Sequence, residues 1–441
     1  MTTLLVNATL LPCTPDMPVI EGGFVHVEGE RIVAAGAGPA PALDGAEIID
    51  VGGDIVMPGM VNPHCHMAMT LFRGLGEDVD DRLYRYILPL ERTFVTPPMV
   101  RAGTALAAYE MIQGGVTTVA DMYYFETEVA RVVHQSGMRG VIGQTIADFD
   151  PPDHKNADEG FALMDELFAE FSGHPRITPS LAPHAPYSTD VAVMNRVARW
   201  VDDHPGTPVQ MHLSETGPEM EWASKNYAMT PVEVTAKAGL LREGLIAAHC
   251  MYVNEADIAL MAQSGVAVAH NARSNGKAGR GIAPITALRA ACIPVGIATD
   301  GAMSGNTLDL FAQFGPVTMF QKIAGGSRAL MPAMDVIRMA TLEGAKVLGM
   351  ADRIGSLEPG KQADLIRIDL SAARLHPIYD HYSMLVFAAM ANDVRDVMVD
   401  GQWLMRDREV LTLERKKVLR DALQIASEFK AEMVRLDAQH R

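Results

Sequence analysis

The stretch Pro58-Gly59-Met60-Val61-Asn62-Pro63-His64-Cys65-His66 ends an apolar run that begins at Ile55. In an extended strand, side chains two apart point to the same side. His64 and His66 therefore present two imidazoles to one point, which suits a transition metal. An H-x-H pair alone is a weak signal, because a histidine in an apolar run also reads as a hydrogen-bonded core residue. Its meaning comes from His212, His249 and Asp300, each at the end of its own apolar run.

Outward from this stretch, residues 58 to about 350 alternate short apolar runs with helical patterns such as Pro98 to Gln113 and Ala157 to Phe171. The runs are 58–66, 116–121, 140–143, 177–181, 209–212, 245–249, 266–270 and 295–300. This alternation predicts βα units and a parallel sheet. Eight such units predict an α/β fold, a (β/α)8 TIM barrel over 58–354, with its site at the C-terminal strand ends. A doubly wound open sheet is the second reading, and it leaves the strand-end histidines unexplained. Residues 1–57 and 355–410 carry short alternating strands with glycine turns, as in Gly22 to Glu28 and Val394 to Leu404. They predict a small β-sandwich domain built from both chain ends. Residues 411–441 are expected to hold a C-terminal helix, amphipathic from Glu414 to about Gln439.

The chain has 441 residues, 48% of them hydrophobic, enough for one large barrel with additions. Its net charge of −17 argues against nucleic acid and against an anionic membrane surface. The four cysteines are scattered and form no C-x-x-C pair, so a disulfide framework is not expected and a reducing, cytoplasmic setting fits. There is no basic-then-apolar leader and no apolar stretch of about 20 residues, so neither a signal peptide nor a membrane span is expected.

His64, His66, His212 and Asp300 end the first, fifth and eighth runs. Three imidazoles and a carboxylate, with one position left for water, describe a catalytic site for one divalent ion, zinc first and ferrous iron second. Glu215 follows His212 as H-x-x-E, within reach of a metal-held water whose proton it can pass to a substrate ring nitrogen. His249 is either a further ligand or a residue that orients the attacking oxygen. No lysine ends the fourth run, which reads Pro183-His184-Ala185-Pro186-Tyr187, so one metal and a non-ligand His249 are favoured. Asp300 can both bind the metal and accept a proton. His184 and His270-Asn271 are candidates for substrate contact. Gly301 to Asn306 forms a glycine-rich turn under the site, without the spacing of a phosphate loop.

With these motifs in place, the chain resembles the amidohydrolase superfamily over residues from about 50 to 370. The carriers are PGMVNPHCH (58–66), GGVTTVAD (114–121), PHAPYS (183–188), HLSET (212–216), AAHC (247–250), HNARSN (270–275), GIAP (281–284), ATDGA (298–302) and GSLEPGKQADL (355–365). Met69 to Gly74, Pro89 to Glu91, and HNARSN followed by GIAP make it most similar to the branch of 5'-methylthioadenosine/S-adenosylhomocysteine deaminases and triazine hydrolases. The resemblance implies metal ligands at His64, His66, His212 and Asp300, usually for zinc. It implies a proton shuttle at Glu215, a polarising residue at His249 and a substrate contact at His184. It also implies hydrolytic release of ammonia from an aminated ring of a small-molecule substrate, and a homo-oligomer.

The chain departs from the branch in places. Arg82 stands near a place where tryptophan is frequent. Gly143-Gln144-Thr145-Ile146 lacks the arginine that can bind an amino-acid carboxylate, which makes Arg82 or Gln144 the candidate replacement. Ala272 stands where proline is common, and Ser304-Gly305-Asn306 stands for Ser-Asn-Asn; Ser304 is a candidate substrate contact. The leading expectation is a metal-dependent aminohydrolase acting on adenosine, 5'-methylthioadenosine or an S-adenosylhomocysteine-like nucleoside. The alternatives are a hydrolase displacing chloride or alkylamine from a triazine, and a deaminase of guanine, a pterin or a pyrimidine.

Overall fold

The computed structural model describes residues 2–79, 81–147 and 150–439. Eight parallel strands follow one another around a nearly closed barrel: Met60–Cys65, Val116–Tyr123, Arg139–Ile146, Ile177–Pro183, Val209–Leu213, Leu245–His249, Ala267–His270 and Val295–Ile297. Almost every residue in them is buried, as a sheet covered by helices on one face and filled on the other requires. The first and eighth strands meet through side chains as well as main chain. Thr299 N donates to Asn62 Oδ1 at 3.1 Å, Asn62 Nδ2 to Thr299 Oγ1 at 2.8 Å, and Asp300 N to the oxygen of His64 at 3.2 Å.

The run containing the H-x-H pair is split. Ile55–Pro58 belongs to a second sheet, where Pro58 opposes Leu365, and only Met60–Cys65 enters the barrel. Gly59 is the joint. Its N–H donates to the oxygen of Asp364 at 3.0 Å, and a Cβ there would overlap the Thr117 side chain. One residue without a side chain lets the chain pass from one sheet to the other.

The second sheet has nine strands from both chain ends. Thr2–Leu10 pairs with Ile20–Glu28 antiparallel and with Glu47–Asp50 and Ile55–Pro58 in parallel. Leu365–Ile368, Val394–Val399, Gln402–Arg406 and Glu409–Val410 continue it. The sheet folds on itself, since the turns at Gly29 and Gly401 are in contact and Ala363 N donates to the oxygen of Glu30 at 2.8 Å. Leu5, Val25, Val56, Leu365 and Met398 share its core. Arg139, buried at the start of the third barrel strand, joins the two units. Its guanidinium donates to Asp364 Oδ2 at 3.1 Å and to Asp400 Oδ1 at 2.5 Å.

The last helix, Arg415–Gln439, packs Phe429 against Phe72 and Phe94, with centroids 4.9 and 5.1 Å apart. Tyr86 OH donates to Asp437 at 2.5 Å, so this helix braces the segment that follows the first barrel strand. The last two residues of the expected 411–441 helix lie outside the described residues. All four cysteines are free, and only Cys292 is exposed. Among the described residues, no helix is long and apolar enough to cross a membrane.

Candidate active site

The barrel rim brings together the five residues that the strand-end pattern singles out. His64 comes from the first strand and His66 directly follows it, His212 comes from the fifth, His249 from the sixth, and Asp300 follows the eighth. The main chain turns sharply there. His249 and Asp300 hold φ of 74° and 60°, and Ser214 holds 50°. A non-glycine residue in that region costs about 1 kcal/mol or more, and such costs cluster at functional sites. The Asp300 carboxylate is fixed from two sides, by Ser274 Oγ donating to Oδ2 at 2.6 Å and Gly301 N donating to Oδ1 at 2.7 Å.

Hydrogen bonds at the back of two rings decide what faces the centre. His66 Nδ1 lies 2.6 Å from the oxygen of Met122, and His212 Nδ1 lies 2.9 Å from the oxygen of His184. A carbonyl only accepts, so each Nδ1 carries the proton and each Nε2 turns a lone pair inward. Those two Nε2 atoms are 3.3 Å apart. Asp300 Oδ1 is 3.3 Å from His66 Nε2 and 3.9 Å from His64 Nε2. His64 Nε2 and His249 Nε2 are buried with no hydrogen-bond partner. Opposed lone pairs beside a carboxylate are the donor set of a cation. The ligand atoms of His64, His66 and His212, and those of His64, His249 and Asp300, each lie within 4.8 Å of one another. These residues therefore form a histidine-rich metal site, and His64 is common to both groups.

The electrostatics agree. Burial, then the neighbouring imidazoles, drives His64 well below its ordinary pKa, and burial takes His212 down to about 4. Burial also opposes charge on His66, but Asp300 outweighs it and lifts that ring to about 9, so with no ion bound the inward Nε2 holds a proton in the place a metal ion would take. Burial raises Asp300, yet His66, His249 and His64 hold it well below the usual carboxylate range. The cluster favours one positive charge at its centre.

Glu215 stands at the mouth, with Oε1 3.7 Å from His249 Nε2. Burial pushes its carboxyl up, but His249, Arg280 and His212 together pull it down to about 2. Its turn is held from below by Glu219, whose carboxylate accepts from Ser214 N at 2.8 Å and Glu215 N at 2.7 Å. His249 Nδ1 meets Asn275 Oδ1 at 2.8 Å, which directs the other ring nitrogen toward Glu215 and Asp300. The His184 ring lies 4.8 Å from that of His212, with Nδ1 2.7 Å from Ser188 Oγ.

The remaining candidates divide. Arg82 reaches across the rim and donates to the oxygen of Met303 at 2.5 Å. Ser304 sits in the short turn Ala302–Gly305, where its N–H donates to the oxygen of Gly301 at 2.9 Å. Gln144 is engaged elsewhere, its Nε2 donating to Asp153 Oδ2 and to the oxygen of Thr145, both at 3.0 Å. His270 is buried beside His249.

Several residues at the site carry no local sequence signal of their role. Glu91 is buried, accepts from Tyr123 OH at 2.7 Å, and is raised by burial to about 7. The Tyr123 ring lies 6.3 Å from that of His66. Glu219, Ser274, Asn275 and Arg280 likewise act through contacts that depend on the folded rim. The Pro89-to-Glu91 segment and the HNARSN motif, which holds Ser274 and Asn275, carry part of the family resemblance, whereas Glu219 and Arg280 lie in none of its motifs.

A fold and site of this kind define a metal-dependent barrel hydrolase, and the comparisons specify the class. The model of the amidohydrolase family matches residues 55–404. A protein of Syntrophobacter fumaroxidans named 5-methylthioadenosine/S-adenosylhomocysteine deaminase is 38% identical over 97% of this chain and 98% of its own. A crystal structure of an adenosine deaminase from Xanthomonas campestris, with bound zinc, is 35% identical and superposes with a TM-score of 0.93 over 97% of this chain and 98% of that one. An atrazine chlorohydrolase from Arthrobacter aurescens, at 20% identity, shares the fold with a TM-score of 0.89 over 96% of this chain and 100% of that one. The chain belongs to the amidohydrolase family. It is a hydrolase acting on carbon–nitrogen bonds.

Proposed function

We propose that this protein is a hydrolytic deaminase of adenosine-like nucleosides, with adenosine, 5'-methylthioadenosine and S-adenosylhomocysteine as the substrate class. The observation that carries the reading is Glu215, whose carboxylate faces His249 at the edge of the histidine-rich metal site. The similarity to proteins named as deaminases of this class supports it. His64, His66, His212 and Asp300 would hold one divalent ion, zinc first. Such an ion supplies Lewis acidity that makes water a nucleophile near neutral pH.

The chain's own residues manage the protons. Glu215 takes one proton from the attacking water and delivers it to the ring nitrogen beside the amine-bearing carbon. Asp300 accepts the second proton, which leaves with the amine. A carbon–oxygen bond forms, the carbon–nitrogen bond breaks, and one water yields one ammonia and a ring carbonyl. His249 orients the attacking oxygen through the ring nitrogen that faces Glu215, and His184 and Arg82 line the substrate side.

Ammonia release by the zinc-loaded protein tests this, with adenosine, 5'-methylthioadenosine, S-adenosylhomocysteine, guanine, cytosine, pterins and aminotriazines as the panel. Turnover of the adenosine compounds is expected. Silence on all of them, with chloride or alkylamine released from a triazine, would replace this reading with the triazine one.

A further inference from the structure

Arg280 has no place in the metal cluster, yet its guanidinium lies directly on Glu215 Oε1. That same oxygen faces His249. The main chain holds Arg280 in position, with its N–H donating to the oxygen of Asn275 at 3.1 Å and its oxygen accepting from Tyr252 OH at 3.2 Å. Gly279 and Gly281 flank it with φ of 65° and 106°. The side chain is 34% exposed, so it borders the mouth of the site while touching the carboxylate inside.

This placement has a chemical consequence, which rests on the deaminase reading above. Glu215 must turn toward a ring nitrogen to deliver its proton. A guanidinium has five donors and no acceptor, and it is always charged. A ring nitrogen that Glu215 protonates must come up against the carboxylate that Arg280 already touches, so the ring atom next to that nitrogen comes within reach of the guanidinium. In adenosine that atom carries only hydrogen and offers the guanidinium no acceptor. In a ring whose nitrogen lies between the amine-bearing carbon and a carbonyl carbon, the carbonyl oxygen meets the guanidinium.

We propose that Arg280 contacts substrate as a specificity-determining residue. In this proposal it recognises a carbonyl oxygen next to the ring nitrogen that Glu215 protonates. The site would then take 6-amino-2-oxopurine nucleosides in preference to adenosine itself. The reaction is unchanged, with one water consumed and one ammonia released.

The test compares kcat/KM for isoguanosine, the 2-oxo counterpart of adenosine, with that for adenosine in the zinc-loaded full chain. Wild type, Arg280→Ala and Arg280→Lys are measured side by side. The wild type is expected to favour isoguanosine. Arg280→Ala is expected to lower the isoguanosine-to-adenosine ratio by about tenfold to a hundredfold, the loss of one charge-assisted hydrogen bond. Arg280→Lys is expected to recover part of it, because the charge returns without the planar fork. A wild type that prefers adenosine, or an Arg280→Ala ratio equal to wild type, overturns the proposal while leaving the deaminase reading intact. Silence on both nucleosides overturns both.

Discussion

His66 donates its Nδ1 proton to the main-chain oxygen of Met122 across 2.6 Å, and its other nitrogen faces that of His212 at 3.3 Å. Two lone pairs so close repel unless a proton or a metal ion lies between them, and the carboxylate and further imidazoles around them suit the metal ion. About one divalent ion per chain is therefore expected by elemental analysis. Chelation should abolish turnover and lower the melting temperature, and added zinc should restore both. A His66→Ala, His212→Ala double variant that still carries a full complement of ion would refute the assignment.

Glu215→Gln keeps the size and polarity of the side chain but removes the proton acceptor. Turnover is expected to fall by about a hundredfold to ten-thousandfold, with metal content unchanged. Steady-state kinetics alongside metal analysis checks this, and normal turnover would exclude Glu215 as the proton carrier.

Glu91 is expected to make stability depend on pH. Burial lifts its carboxyl from an ordinary 4.5 to about 7, against the hydrogen bond from Tyr123 and the field of His66. Between those values the folded chain binds more protons at this position than the unfolded chain does. Stability from this group is therefore lost as pH rises from 4.5 through 7. Glu91→Gln is expected to flatten the melting temperature over that window and to gain on wild type at pH 8. Melting curves of the two proteins that run parallel across the window would count against it.

Arg139 is expected to be the costliest single side chain at the junction of barrel and second sheet. Arg139→Met leaves Asp364 and Asp400 buried without their cation, and a loss of about 3–5 kcal/mol is expected in denaturant unfolding. Restoring neutrality with Asp364→Asn and Asp400→Asn in the same chain should recover part of that loss. No recovery would mean that packing, and not charge, sets the cost.

The barrel was legible in the chain because a parallel sheet buried on both faces leaves apolar runs, and the runs at 116–121, 177–181 and 245–249 all lie within barrel strands. The candidate ligands were legible because a barrel builds its site at the C-terminal strand ends, so position along a run predicts position in space. What periodicity could not reveal was the break at Gly59, since an apolar run looks the same whether it serves one sheet or two. Nor could it reveal contacts between distant loops. Glu91 finds Tyr123, Arg280 finds Glu215, and Arg139 finds Asp364 and Asp400, only because the barrel closes and the chain-end sheet docks beneath it. Such pairs obey no local spacing. The residues of the metal cluster were thus set by the sequence pattern, while the charges that tune Glu215 and border the mouth of the site were decided by tertiary structure, because electrostatic partners are chosen by distance in space and not along the chain.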